Sequence, residues 1–241
     1  MTISRLLPAA LAARDTLTEH DHTALASLNV RSQTFNHLEV ILPAGPSPHE
    51  SCLIVGGMAL RIQTLGPRQG VTSAIHIPGD FVDLHGFLLD SLEHSVIAQG
   101  RCQVQFVDRA ELLEITETRP HLTRLLWLIT LIDAKINRTW VAAGAALRAA
   151  ERIGHLMCEL HARYAVIGAV ENDAFEVPLE QQDLVRILGF SKTHINRAVQ
   201  ELRGRGLLEW SRGLVTLPDP GGLAEFSGFD PTFLEIRRIP R

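Results

Sequence analysis

The stretch from Pro178 to Leu217, PLEQQDLVRILGFSKTHINRAVQELRGRGLLEWSRGLVTL, constrains the fold most. Leu184, Ile187 and Leu188 recur at helical spacing, and Gly189 follows where a chain leaving a helix needs a residue that tolerates positive φ. Ser191 then caps a second helix, with Phe190 and Ile195 at the two positions of a hydrophobic staple. Along that helix Ile195, Val199 and Leu202 share one face, which leaves Lys192, Thr193, His194, Asn196, Arg197 and Gln200 for the others. GLLEW and LVTLP around Arg212-Gly213 read as a β-hairpin. The pattern predicts a helix-turn-helix followed by a wing, an arrangement suited to DNA.

The side chains fit that use. Arg197 can bridge O6 and N7 of guanine or take a nearby phosphate, and Asn196 can read adenine. Lys192 and Thr193 stand at the helix start near base edges or phosphate, with Ser191 and His194 beside them, Gln200 one turn on and Arg212 on the wing facing the backbone.

Upstream the texture changes twice. From about Val30 to Val107, short runs (LEVIL, SCLIV, ALRIQTL, SAIHI, SVIAQ, CQVQFV) are separated by glycines, among them Gly57 and Gly100, which predicts a β-sandwich or barrel of many short strands. Thr18 and Asp21 predict a capping box on a short helix before it. After Pro120 the period becomes helical, and Leu122, Leu125, Ile129, Ile132 and Ile136 form a stripe that continues to Trp140. Such a stripe needs a partner, either the chain's own β-domain or a second copy; a twofold dimer is the favoured reading because it matches a palindromic site. A further helix over ALRAAERIGHLMCELHARYAVIG leads to the polar break Glu171-Asn172-Asp173. The expected divisions are a β-domain with its N-terminal helix over 1–119, a dimerisation helix over 120–145, and a winged helix-turn-helix with a C-terminal tail over 146–241.

With 46% hydrophobic and 21% charged residues among 241, the composition is that of a globular protein. The longest apolar run, Leu125 to Ile132, is too short for a bilayer, and the first residues lack a secretory pattern, so a cytoplasmic location and no membrane partner are expected. The net charge of −4 divides into −5 over residues 1–119, 0 over 120–177 and +1 over 178–241, which concentrates positive charge in the proposed reader. Cys52, Cys102 and Cys158 are too scattered for a disulfide framework or a cysteine-ligated cluster and read as buried apolar residues. His20-Asp21-His22 reads as a solvated helix start, since residues two apart do not share a helix face. His155, Cys158 and Glu159, with His161 close behind, do share one; packing is the favoured reading over metal ligation. No motif supports catalysis, and neither an enzyme nor a cofactor is expected.

In this order the parts resemble the Crp/Fnr family of bacterial transcription regulators. The resemblance rests on PGDFVDL at 78–84, EHSVIAQGRCQV at 93–104 and LGFSKTHINRAVQELRGRGLLE at 188–209, with GFDPTFL at 228–234 similar to the tail of a subgroup. It implies an α+β fold: an N-terminal antiparallel β-roll of the cyclic-nucleotide-binding type, a long dimerisation helix and a C-terminal winged helix-turn-helix. It also implies a homodimer on a palindromic duplex operator, RNA polymerase as a further partner, and an effector pocket. The pocket positions are Asp83-Leu84, where nucleotide binders carry Gly-Glu, and His94-Ser95, where they carry Arg-Ser. Without the phosphate-gripping arginine, cyclic AMP is not the expected effector, and the small molecule is unidentified. The N-terminal cysteines of iron-sulfur members are absent. Glu180 stands where relatives often have a capping threonine, and Val185 where they often have alanine. A rival reading is a ligand- or metal-binding sensor whose winged helix contacts protein instead of DNA.

Overall fold

The computed structural model describes residues 3–64, 66 and 70–240; Leu65, which closes the ALRIQTL run, lies outside the described residues. The chain opens with α1 (Leu6–Ala12) and α2 (Glu19–Ser27). Thr18 caps α2 by the capping box its sequence predicts, its hydroxyl accepting from the Asp21 N–H while Asp21 accepts from the Thr18 N–H. Asp21 is nevertheless buried, which corrects the solvated reading of His20-Asp21-His22: His20 and His22 face water, whereas Asp21 turns inward to His121.

The β-roll follows as β1 (Val30–Phe35), β2 (Val40–Leu42), β3 (Gly45–Pro46), β4 (Glu50–Gln63), β5 (Val71–His76), β6 (Ser91–Leu92) and β7 (His94–Asp108). Its main sheet is antiparallel in the order β1-β7-β4-β5, with β2 also on β7. The sequence reads SCLIV and ALRIQTL as separate strands, and SVIAQ and CQVQFV likewise. In the structure each pair is one long strand, and the two strands pair with each other through register shifts at Gly56 and Met58. Gly57 (φ +78) and Gly100 (φ +68) are bends within strands rather than ends of strands. A Cβ on Gly57 would sit 2.2 Å from the Arg101 carbonyl oxygen, so only glycine permits this bulge. Cys52 and Cys102 pack in the roll interior with Ile54, Val96 and Phe106.

Beyond β7 come α3 (Arg109–Thr118), α4 (Pro120–Ala146) and α5 (Ala149–Val166). The stripe Leu122, Leu125, Ile132 and Ile136 is buried within the chain, its upper part against α1, α2 and the roll and its lower part against Leu234 of the tail. The coiled-coil seam read from these residues therefore finds its partner inside one subunit. What α4 turns to solvent is a different line, Trp127, Leu131 and Val141.

The C-terminal part comprises β8 (Ala174–Glu176), α6 (Asp183–Leu188), α7 (Lys192–Gly204), β9 (Glu209–Ser211), β10 (Leu214–Thr216) and α8 (Pro220–Ser227). Its core joins α5, α6, α7 and the small sheet around Ile153, Leu160, Leu184 and Leu202. Gly154 lets α8 lie on α5; a Cβ there would meet Leu223 at 2.9 Å and Ser227 at 3.0 Å.

Candidate nucleic-acid interface

α6 ends on Gly189 at φ +74, and the chain turns into α7 under Ser191, whose hydroxyl accepts from the His194 N–H at 3.4 Å. The same hydroxyl lies 3.2 Å from His194 Nδ1, so His194 is tied to the cap. In place of the threonine cap expected at position 180, Asp183 accepts from the Glu180 N–H at 2.8 Å. Phe190 and Ile195 pack in one core, as a staple requires, and the Arg152 guanidinium lies 5.2 Å over the Phe190 ring.

Ile195, Ala198, Val199 and Leu202 anchor α7, and burying each of the larger three stabilises the fold by roughly 1.5–3 kcal/mol. Ser191, Lys192, Thr193, His194, Asn196, Arg197 and Gln200 are all exposed, which gives the helix a polar outer surface over its first two and a half turns. Its far side is held by charge: Glu201 bonds Arg148 at 3.0 Å and Arg205 at 3.2 Å.

β9 and β10 form the wing, and Arg212 and Gly213 make its turn with φ of 50° and 84°, the left-handed pair a two-residue hairpin needs. Arg212 is exposed there. Sequence reading missed the third strand: β8 pairs with β10 and the Val177 N–H donates to the Gly213 carbonyl at 2.8 Å. At three residues it was too short for an alternating pattern to show. It also missed Arg203, which donates to the Trp210 carbonyl at 3.3 Å and ties α7 to the wing.

Two polar links join this unit to the β-roll. Gln99 donates to the Pro178 carbonyl at 3.1 Å and accepts from Arg186 at 2.7 Å. Arg163 bonds Glu159 at 2.7 Å, the Ile75 carbonyl at 2.9 Å and Asp80 at 2.5 Å, while Trp140 donates to Glu159 at 2.7 Å. Glu159 thus holds an arginine and an indole. Its neighbours on that helix face are equally committed: His155 lies between Phe229 and Phe233, Cys158 is buried, and His161 faces Asp173 at 3.2 Å. Among the described residues no group of three His, Cys, Asp or Glu is placed to hold a metal ion.

Of the four effector-pocket positions, Asp83 and Leu84 follow β5, and His94 and Ser95 open β7. Asp83 is buried and accepts from the Cys52 N–H at 2.7 Å, and burial pushes its carboxyl up to about 7 despite that bond. Leu84 packs in the α1–α4 core. His94 and Ser95 pair with Gln63 and Ile62 at the opposite end of β4 from Cys52; His94 is buried, and Ser95 accepts from the Ala44 N–H at 2.9 Å.

Residues 151–226, which run from the first turn of α5 to the last turn of α8, match the Crp-like helix-turn-helix domain family. The transcriptional activator protein FnrL of Cereibacter sphaeroides is 27% identical over 73% of this chain and 72% of its own length. The transcriptional regulatory protein btr of Bordetella pertussis is 21% identical over 65% of this chain, and the match spans 64% of that protein, just under two thirds. FixK2 of Bradyrhizobium japonicum superposes with a TM-score of 0.72 at 19% identity, covering 83% of this chain and 98% of that structure. The chain carries a Crp-like helix-turn-helix domain. A mutant of CooA from Carboxydothermus hydrogenoformans shares the fold with a TM-score of 0.61 at 17% identity, covering 82% and 88%. The α+β architecture of antiparallel roll, long helix and winged helix-turn-helix is thereby shared over more than four fifths of the chain. Among the described residues no helix is long and apolar enough to cross a membrane.

Proposed function

We propose that this protein is a DNA-binding transcription regulator of the Crp/Fnr type that acts in the cytoplasm as a homodimer and places α7 in the major groove of a palindromic operator. The observation that carries the reading is the run of exposed polar side chains from Ser191 to Gln200 on a helix anchored by four buried residues, followed by a wing that presents Arg212. Arg197 and Asn196 are assigned to bases, Lys192, Thr193 and His194 to bases or phosphate near the helix start, and Arg212 to the sugar-phosphate backbone. Dimerisation is assigned to α4, supported by its exposed apolar line; two α7 helices then meet half-sites about 34 Å apart. A signal acting through the β-roll shifts a pre-existing equilibrium between reader orientations. RNA polymerase is the further partner that an activator such as FnrL suggests.

Selection from a random duplex pool, followed by affinity across a salt series, tests this reading. The expected product is a palindrome with half-sites about ten base pairs apart. In Arg197→Ala, affinity at fixed salt falls by about 1–3 kcal/mol with relaxed choice at one base. Unchanged affinity in that variant, together with no preferred sequence in the pool, would transfer the winged helix to protein contacts.

A further inference from the structure

A recess of about 60 Å³ lies where α1, the roll, α4, α5 and the C-terminal tail converge. Ala10 and Arg14 of α1, the Pro78–Asp80 turn of the roll, Asp133 and Ile136 of α4, Arg163 of α5 and Leu234 of the tail all contribute to its wall. A single water needs only about 10–15 Å³ of such space, so the recess has room for a small molecule. His76 also lines it, is 3% exposed, and has a ring nitrogen, Nε2, without a hydrogen-bond partner. Buried polar atoms are nearly always bonded, and an exception on a cavity wall marks where a partner belongs.

The charge of the wall says what kind of partner. Burial first, then the nearby Arg61, hold His76 down to about 3, so its ring is neutral. Asp80 is bonded by Arg163, and Asp133 by Arg61 at 2.7 Å. Behind Arg163, Glu159 accepts from Trp140 at one oxygen and from Arg163 at the other. On the wall itself Arg14 and Arg163 thus face Asp80 and Asp133, two charges of each sign. The wall lacks a hydrogen-bond partner rather than a counter-charge.

We propose that this junction recess is a binding site for a compact, uncharged hydrogen-bonding molecule of about four or five heavy atoms, held through His76 Nε2. The site is separate from the Asp83 and His94 positions. By touching the roll, α4, α5 and the tail at once, an occupant favours the arrangement in which the winged unit is docked on the roll. That regulatory consequence rests on the DNA-binding reading; the site does not.

The test is nitrogen-detected NMR of the His76 imidazole in the full chain, titrated with acetamide and with acetate, which match in size and differ in charge. Acetamide is expected to shift Nε2 saturably with a dissociation constant on the order of 1 mM, and acetate to bind at least about tenfold more weakly. Filling the recess by Ala10→Leu, or from α4 by Ile136→Phe, is expected to abolish the shift. No saturable shift at His76 in the unsubstituted protein overturns the proposal, and equal binding of acetate overturns the ligand class. The readout is independent of DNA, so failure of the operator experiment leaves it intact.

Discussion

Arg163, on the first helix of the winged unit, reaches across the domain boundary to Asp80 in the Pro-Gly-Asp turn of the β-roll at 2.5 Å, while its other nitrogen holds Glu159. Burial opposes the charge on Arg163, but Asp80 and Glu159 outweigh it and raise the guanidinium's pKa far above its ordinary value. Arg163→Leu is expected to destabilise the protein by about 3–5 kcal/mol, because the fully buried Glu159 would lose its cationic partner. The double variant Arg163→Leu/Glu159→Leu should recover much of that loss in denaturant melts; a double variant as unstable as the single would sink the account.

His121, at the start of α4, bonds Asp21 at 2.8 Å and Asp15 at 3.3 Å. Burial lowers its pKa, yet the hydrogen bonds and charges of the two carboxylates prevail and raise it. A raised histidine contributes stability that is complete below its unfolded value of about 6.5 and is lost as pH rises through the folded value. His121→Ala should therefore cost on the order of 1 kcal/mol near pH 6 and progressively less at higher pH. Thermal melts across that range check the sign, and a cost that grows with pH would contradict it.

Asp83 works the other way. Its carboxyl is pushed up to about 7 by burial, so the folded state favours the proton and stability declines as pH rises from the unfolded value of about 4 to about 7. Asp83→Asn keeps an oxygen for the Cys52 N–H and removes the charge. It should melt higher than the parent at pH 8 by on the order of 1–3 kcal/mol of stability and show no such gain at pH 4. Equal effects at both values would show that Asp83 does not titrate in this range.

Trp127 is 65% exposed and Leu131 47% exposed on the outer line of α4. If that line is the dimer seam, Trp127→Glu should shift the protein to monomer in analytical ultracentrifugation with an unchanged melting temperature for the β-roll core. Leu125→Glu, at a fully buried position of the inner stripe, should unfold the protein instead. A dimer that survives Trp127→Glu would move the seam elsewhere.

Some features were legible because they depend on neighbours close in sequence. The Thr18–Asp21 capping box, the Gly189 helix end, the Ser191 cap and the buried face of α7 are governed by backbone sterics and by residues within about one turn. The exposure of Lys192, Asn196 and Arg197 follows from the same periodicity.

Other features required the chain to meet itself. Gly57 and Gly100 read as strand breaks because a sequence shows conformational freedom but not the paired strand opposite, which here turns both into bends of continuous strands. The stripe on α4 carries the period of a dimer seam, yet which surface covers an apolar stripe is a competition among all available surfaces; α1, the roll and Leu234 win it. Glu159 and Arg163 sit at i, i+4, so their mutual bond was available from spacing, whereas Asp80, 83 residues from Arg163, was not. The sequence by itself determined α7, with its buried and exposed faces, and the order of the parts through local periodicity. Only the tertiary structure decided which face of α4 is free, where buried charges pair and where His76 faces a cavity, because each depends on groups brought together by packing alone.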